Sequence, residues 1–401
     1  MICVSSYSPS SPNAIMADSA QGNFGSDAPE LRGVKVGFIP LTDCASVIIA
    51  SVMKFDEKYG IKIIPVKQPS WSAVRDKVVC GELHAAHMLY GMVYGVHLGI
   101  GGLQKDMAVL MTINNNGQGI SLARHLKDKG VCDGSALARL IKAQPGEYTF
   151  AHTYPTGTHA MWLYCWLAHY GINPLSDIRT ITVPPTQMAA NARVASMDGF
   201  CVGEPWNARG ILKKTSFSVA SSQDIWPDHP EKVLGCSAEF VRQYPNTARA
   251  LVMAMLDAAK YIDSRANRAK VAEIISDKSY VDAPVDVIAG RFLGSYQDGL
   301  GKEWHDPNHI KFFNDGKVPF PYLSDGMWFL TQFKRWGLLK EDPDYLEIAR
   351  QINQIELYKQ AASGINVPVP DNEMRRSVLM EDTPWDGSDP KQYAATFKVR
   401  A

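Results

Sequence analysis

The sequence lacks any apolar run of the roughly 18 residues that a membrane-spanning helix needs, which excludes a helical membrane protein. It also lacks an excess of either charge, because 41 Lys and Arg balance 41 Asp and Glu among the 401 residues. The chain therefore presents no overall basic field for nucleic acid or anionic lipid. At about 150 residues per domain, this length predicts two or three domains, or one large protein with two lobes.

Motifs for common cofactors and nucleophiles are missing as well. There is no P-loop, H-E-x-x-H, Rossmann G-x-G-x-x-G or G-x-S-x-G motif. His305 and His309 are four residues apart, but Pro307 between them argues against a shared helical face and a metal site. The seven cysteines form no C-x-x-C, which argues against a zinc ribbon and predicts reduced thiols, with Cys80 and Cys201 in the core. We expect no cofactor, no metal and no catalytic activity.

The first 30 residues differ in composition from the rest of the chain. They are rich in Ser, Pro, Gly and Asn, and they contain no Lys or Arg and no apolar stretch. A secretory signal needs both a basic region and an apolar region, so the printed sequence predicts a disordered tail over residues 1–30 without an export signal. Met16 is an alternative start, and a misplaced gene start could have removed a signal.

Beyond Leu31, segments typical of strands alternate with segments typical of helices. The predicted strands of the first set are residues 34–41, 61–68, 83–89 and 107–114. Those of the second set are residues 148–153, 178–185, the segment DGFCVGEP, and residues 216–222. After Lys232 the pattern becomes mainly helical. Strands that alternate with helices of ten to fifteen residues indicate βαβ units with parallel sheets, so the sequence predicts two α/β lobes with a cleft.

The ends of the predicted strands carry hydrogen-bond donors, glycines and aromatic residues, but few charges. Ligands of open α/β sheets lie outside the carboxyl ends of the strands, so this composition suits a small polar ligand. Trp71 could donate its indole N–H there, or it could simply fill the core. Similarly, His152 could bind a ligand or be a buried structural histidine, and Gly203 could expose its backbone N–H. Lys232 would ordinarily be a surface lysine, and His159, in an aromatic-rich helix, is interpreted as a packing residue.

Several segments together resemble the nitrate/bicarbonate-binding proteins of ABC importers. They include VKVGFIPLTDCASVIIAS, QPSWSAVRDK, AHTYPTGTHAMWLYCWL, ITVPPTQMAANARVASMDGFCVGEPWNAR and QDIWPDHPEKVLG, in collinear order over about residues 32–365. The resemblance implies a type II periplasmic-binding-protein fold. The predicted division is residues 31–118 and 232–365 for lobe one, residues 119–231 for lobe two, and an extended C-terminal arm over residues 366–401.

The resemblance also implies the site. The matching positions are Trp71, Asn116, His152, Gly203 and Lys232. Asn116 stands where the cyanobacterial binders have glutamine, and its neighbour Gln118 could take over that role. Lys232 matches a position that is lysine in nitrate binders and acidic in bicarbonate binders, and Glu231 beside it is expected to face solvent. Nitrate is a planar monoanion with three acceptor oxygens, so one cation and several N–H donors suit it, with nitrite as the companion ligand.

The expected function is therefore that of a solute-binding protein. It would capture nitrate between its lobes and deliver it to the permease and ATPase subunits of an ABC importer. We expect a periplasmic monomer that binds no nucleic acid and reaches the membrane only through the permease or a lost signal or anchor. The alternative is a cytoplasmic nitrate sensor on the same fold that controls a regulatory partner, which the missing signal favours. A third hypothesis is that the protein is an enzyme, but no activated nucleophile or pair of carboxylates in the sequence supports it.

Overall fold

The computed structural model describes residues 27–194, 196–380 and 382–401, so most of the predicted tail lies outside the described residues. The strands are β1 (Gly33–Phe38), β2 (Lys62–Lys67), β3 (Ala85–Leu89), β4 (Met107–Thr112), β5 (Gln118–Ala123), β6 (Thr149–His152), β7 (Arg179–Thr182), β8 (Gly199–Gly203), β9 (Ser216–Ser221), β10 (Lys232–Ser237), β11 (Ser295–Gln297), β12 (Glu303–His305), β13 (Ser377–Val378) and β14 (Pro384–Trp385).

The helices lie between these strands and after them. They are α1 (Ala45–Val52), α2 (Trp71–Val79), α3 (Tyr90–His97), α4 (Arg124–Asp128), α5 (Gly134–Ala143), α6 (Thr158–His169), α7 (Met188–Arg193), α8 (Trp206–Leu212), α9 (Ser222–Ile225), α10 (Ala238–Gln243), α11 (Pro245–Asp263), α12 (Arg265–Ile275), α13 (Val285–Phe292), α14 (Leu323–Arg335), α15 (Tyr345–Ile352), α16 (Ile355–Gly364) and α17 (Pro390–Thr396). Short 3₁₀ turns lie at Thr42–Cys44, Glu57–Tyr59 and Pro185–Gln187. None of the helices in the described ranges is long and apolar enough to cross a membrane.

Two five-stranded sheets organise the molecule. The first has the order β2-β1-β3-β10-β4, and the second has the order β7-β6-β8-β5-β9. Strands β3, β4, β5 and β8 are buried along their whole length, as expected for strands covered on both faces. The predicted α/β class is confirmed, but both sheets are mixed. Strand β10 is antiparallel to its neighbours β3 and β4, and strand β5 is antiparallel to its neighbours β8 and β9.

The chain passes between the sheets twice within the part described. The first crossing, residues 113–117, leads from β4 to β5, and the second crossing, residues 222–231, leads from β9 to β10. The two crossings run side by side, since the Glu231 N–H donates to the Asn114 carbonyl at 3.1 Å and Asn115 pairs with Pro230. Each crossing ends where a central strand of the opposite sheet begins, at Gln118 and at Lys232.

Three sequence expectations need correction. The residues from Lys232 onward are mainly helical as expected, but Lys232–Ser237 is an additional strand, β10, which lies between β3 and β4 in the first sheet. The C-terminal segment is not simply extended, because it contains the β13–β14 pair and helix α17, and the Trp385 indole N–H donates to the Ser324 carbonyl at 2.9 Å. Cys80 is exposed, whereas Cys201 is buried as predicted.

Candidate functional site

The two sheets meet along the segments that follow β1 and β8. The backbone N–H of Thr42 donates to the Glu204 carbonyl at 2.8 Å, and the Trp206 indole N–H donates to the Pro40 carbonyl at 2.9 Å. Both pairs join residues about 160 positions apart in the chain. The ends of a strand from each sheet therefore face each other across a closed cleft, which is where ligands of such sheets bind.

Lys232 lies at the centre of this cleft and is completely buried. Its Nζ atom lies 2.7 Å from Asp43 Oδ2, 2.9 Å from Glu231 Oε1 and 3.2 Å from Gln118 Oε1. An ammonium group has three hydrogens, so each of them has an acceptor. Burial disfavours the charged form, but the two carboxylates outweigh it and raise the pKa of Lys232. The interpretation as an ordinary surface lysine is excluded.

Asp43 ties Lys232 to the strand β3. Its Oδ1 atom lies 2.7 Å from His87 Nε2, and its Oδ2 atom accepts from the Gln118 amide at 3.0 Å as well as from Lys232. Burial opposes ionisation of Asp43, yet Lys232 and His87 lower its pKa well below the ordinary value. Burial also lowers the pKa of His87, so we treat this imidazole as neutral and as the donor to Asp43.

Gln118 connects Lys232 to the second sheet. Because its amide nitrogen donates to Asp43, its oxygen is the acceptor for both Lys232 and His159, whose Nε2 lies 2.7 Å away. The Nδ1 atom of His159 lies 2.5 Å from the Thr153 hydroxyl, which holds the ring in one tautomer. Burial, reinforced by the nearby Lys232 charge, lowers the pKa of His159 well below its usual value. The interpretation of His159 as a mere packing residue missed these hydrogen bonds.

Glu231 is buried beside Lys232, so the expectation that it faces solvent is wrong. One carboxylate oxygen accepts from the Thr158 hydroxyl and from Lys232, and the other accepts from the Trp162 indole N–H at 2.7 Å. Burial raises the pKa of Glu231, although Lys232 and these donors act in the opposite direction. We call the six buried residues of this network the cleft cluster: Asp43, His87, Gln118, His159, Glu231 and Lys232.

Trp71 is the first residue of helix α2, which Ser70 caps by accepting from the Ala73 N–H at 3.2 Å. Its ring is buried and packs 5.5 Å from the His87 ring, with Lys232 Nζ 5.8 Å from its centre. The indole nitrogen finds no hydrogen-bond partner among the described residues. A buried donor without an acceptor is costly, so this N–H beside the cleft cluster is a candidate ligand donor.

Gly203 is the last residue of β8 and pairs with Gln118 on β5. A Cβ atom at this position would lie 2.5 Å from Gln118 Oε1 and 3.1 Å from Leu41 Cδ2. Leu41 belongs to the segment after β1, so this glycine allows close approach of the two sheets. The structure therefore places three of the five expected ligand residues, Trp71, Gly203 and Lys232, around one cleft.

The other two predicted residues, Asn116 and His152, lie outside the cleft cluster. Asn116 has a φ of 63°, and its amide nitrogen donates to Asp228 Oδ1 at 3.2 Å and to the Asn308 carbonyl at 2.8 Å. The side-chain amide in the cleft cluster is thus that of Gln118, the neighbour that the sequence offered as the alternative to Asn116. His152 is buried at the end of β6 against Tyr164, and its Nδ1 has no partner in the described part of the chain. Burial lowers the pKa of His152 to about 4.

Comparison with known proteins identifies the family of this chain. The sequence pattern of the NMT1-like family matches residues 27–276. This chain belongs to the NMT1-like family. It is 35% identical to the nitrate/nitrite binding protein NrtA of Synechocystis sp., over 94% of this chain and 87% of NrtA. The crystal structure of the periplasmic nitrate-binding protein NrtA from Synechocystis matches with a TM-score of 0.89, covering 93% of this chain and 100% of that one.

This member of the NMT1-like family also resembles part of a larger protein. It is 32% identical to the nitrate import ATP-binding protein NrtC of Synechocystis sp., over 94% of this chain but only 56% of NrtC. The match to the NrtA structure confirms the type II periplasmic-binding-protein fold with its two α/β lobes. The similarity to NrtA, which is a binding protein, confirms the prediction that the chain is not an enzyme. No group of three or more metal-ligating side chains occurs among the residues described.

Proposed function

We propose that this protein binds nitrate, with nitrite as a companion ligand, in the cleft between its lobes and delivers it to a membrane permease. The observation that carries this proposal is the buried Lys232 ammonium beside the Trp71 N–H, which has no partner among the residues described, in a chain similar to NrtA over nearly its whole length. Nitrate offers acceptors in one plane and no donor. Nitrate therefore fits a cleft that offers a donor such as the Trp71 indole N–H.

The proposed binding residues come from both lobes. Lys232 and Trp71 belong to the lobe built on the first sheet, whereas Gln118, His159 and Gly203 belong to the lobe built on the second sheet. His152 remains a candidate because its Nδ1 is buried and has no partner within the described ranges. A ligand held by both lobes favours the closed state over the open state. The two crossings that join the sheets are the expected hinge.

Transport requires a partner in the membrane. The similarity to NrtA and to NrtC, whose names describe nitrate binding and nitrate import, supports delivery to the permease and ATPase subunits of an ABC importer. It also supports a periplasmic location, since the matching NrtA structure is described as periplasmic. We further propose that the protein acts as a monomer, binds no nucleic acid, and divides into lobes at residues 118 and 232.

A thermal-shift screen with nitrate, nitrite, bicarbonate and sulfate tests this function. A ligand present at 100 times its dissociation constant adds about 2.7 kcal/mol to the free energy of unfolding. We expect nitrate and nitrite to raise the melting temperature, and sulfate to have little effect. If nitrate gives no shift while bicarbonate or an organic anion does, the assignment to nitrate is wrong.

A further inference from the structure

The cleft cluster carries more negative than positive charge. Lys232 contributes one positive charge, and Asp43 and Glu231 contribute two negative charges. Burial lowers the pKa of His87 and of His159, so neither adds a positive charge near neutral pH. The six buried side chains together therefore hold a net charge of minus one, in the place where the proposed function requires an anion to bind.

Lys232 also has no hydrogen free for an anion. Its three acceptors are Asp43, Glu231 and Gln118, all within 3.2 Å. A nitrate ion beside this ammonium would raise the buried charge to minus two and would have to displace one of these acceptors. Uncompensated charge away from water is strongly unfavourable, so the bound state needs a further positive charge.

We propose that nitrate binding is coupled to the uptake of one proton from solvent by Glu231, so that the closed cleft holds the anion and the proton together. The inference rests on the proposed function. The Glu231 carboxylate takes the proton on Oε1 and becomes a neutral carboxylic acid, while its Oε2 atom still accepts from the Trp162 indole N–H. The Lys232 hydrogen that points to Glu231 Oε1 is thereby released toward the anion. Nitrate cannot carry the proton itself, because it is the conjugate base of a strong acid.

Glu231 is a better site for this proton than Asp43. Asp43 accepts from Lys232, Gln118 and His87, and these contacts keep its pKa below the ordinary value in spite of burial. Glu231, in contrast, has a pKa that burial raises. Its Oε1 atom lies 3.8 Å from His159 Nε2, and its Oε2 atom lies 3.5 Å from His229 Nδ1. Thr158, Trp162 and Lys232 also donate to Glu231, but they do not overcome the effect of burial on its pKa, so protonation costs less free energy at Glu231 than at Asp43.

The other titratable groups around Glu231 do not supply the positive charge. Burial lowers the pKa of His229, on the second crossing, to about 3, so this ring is neutral. Burial raises the pKa of the Cys201 thiol on β8, so this group is neutral as well. The charged and titratable groups that face Glu231 or act on it are Lys232 from β10, Asp43 after β1, His87 from β3, His159 from α6, Cys201 from β8 and His229.

Titration calorimetry with potassium nitrate in two buffers tests this proposal. Phosphate and Tris differ in their heats of ionisation, so the difference between the two measured heats gives the number of protons taken up per nitrate. For the unmodified protein between pH 7 and pH 8.5, we expect close to one proton. The dissociation constant should rise with pH, by up to about tenfold per unit. Equal heats in both buffers with a pH-independent affinity would overturn the inference but leave the proposed function intact, whereas no binding of nitrate would remove both.

The variant Glu231→Gln assigns the proton. The amide keeps the size of the side chain and removes its charge, so we expect nitrate binding without proton uptake and with little dependence on pH. Glu239→Gln is the matched control, because Glu239 forms an exposed pair with Lys105, and it should behave like the unmodified protein. Proton uptake of the same size in Glu231→Gln would show that another group takes the proton. If this variant does not fold, the two-buffer measurement on the unmodified protein still decides whether uptake occurs.

Discussion

Lys232 and Asp43 form an ion pair in which Nζ and Oδ2 lie 2.7 Å apart, and both side chains are buried. Glu231 approaches the same ammonium to 2.9 Å, so one cation compensates two carboxylates. The Lys232 ammonium cannot be removed without consequences for folding, since it compensates the charge of both carboxylates. Lys232 therefore has two roles, one in stability and one in ligand binding, and experiments can measure them separately.

We expect Lys232→Met to lower the free energy of unfolding by about 3–5 kcal/mol and to abolish the response to nitrate. The first effect arises because two buried carboxylates lose their partner, and the second because the cleft loses its cation. Urea unfolding measured by circular dichroism, followed by calorimetry with nitrate, checks both.

Two further variants test whether this effect is specific to the buried ion pair. Lys105→Met removes a partly exposed lysine paired with Glu239, so it should change stability by less than about 1 kcal/mol. Adding Asp43→Asn to Lys232→Met removes one of the orphaned charges and should restore part of the stability but not the binding. If Lys232→Met is as stable as the unmodified protein, the buried ion pair does not exist in solution.

Trp71→Phe should weaken nitrate binding by about 1–3 kcal/mol, because it keeps an aromatic ring but deletes the unpartnered N–H proposed to donate to the anion. Calorimetric titration measures the loss. Trp336→Phe is a suitable control, since Trp336 is also buried and its N–H also lacks a partner in the described part of the chain, but it packs against Tyr164 and Arg335. Equal affinity in Trp71→Phe and the unmodified protein would mean that Trp71 only fills the core.

Gly203→Ala should weaken nitrate binding at least about tenfold, which corresponds to about 1.4 kcal/mol. The added methyl group would lie 2.5 Å from Gln118 Oε1 and 3.1 Å from a Leu41 methyl, so the closed cleft could not form as it does here. Small-angle scattering should show a more open protein in the presence of nitrate. Gly290→Ala places a methyl group 3.6 Å from its nearest neighbour, within helix α13, and should bind normally. Normal closure of Gly203→Ala would contradict the close approach.

Asn116 and Gln118 can be distinguished by a pair of variants. Asn116→Gly keeps the positive φ of 63° and deletes the amide that bonds to Asp228 and Asn308, so nitrate affinity should change only a few-fold. Gln118→Leu removes the contacts to Lys232, Asp43 and His159 and should reduce affinity more than tenfold. Calorimetric titration of both compares them directly. The opposite order of effects would restore Asn116 as the binding residue.

The sequence predicted the two lobes but not the two strands that complete the sheets. QGISLA and KVLGCS contain glycine and serine and show no strong β-branched pattern, so local propensity is weak in β5 and β10. They become strands because each enters the opposite sheet between two others, which is a long-range effect. A pattern of alternating strands and helices cannot show such an insertion.

The site was likewise predicted in part. Trp71, Gly203 and Lys232 occupy motif positions, whereas Gln118 and Asn116 lie two residues apart, and only the backbone turn at Asn116 decides which amide reaches the cleft. His159 lies among aromatic residues of α6, and its bond to Gln118 joins residues 41 positions apart. Glu231 was misjudged because carboxylates are rarely buried unless they are paired, and its partners come from α6 as well as from Lys232.

The most direct test of nitrate binding is calorimetric titration of the unmodified protein with nitrate and, in parallel, with sulfate. We expect a saturable heat for nitrate with one ion bound per protein molecule, and no such heat for sulfate, because the Lys232 ammonium is already shared with two carboxylates and a dianion would add more uncompensated charge. An absence of nitrate binding, together with saturable binding of sulfate or of an organic sulfonate, would contradict it.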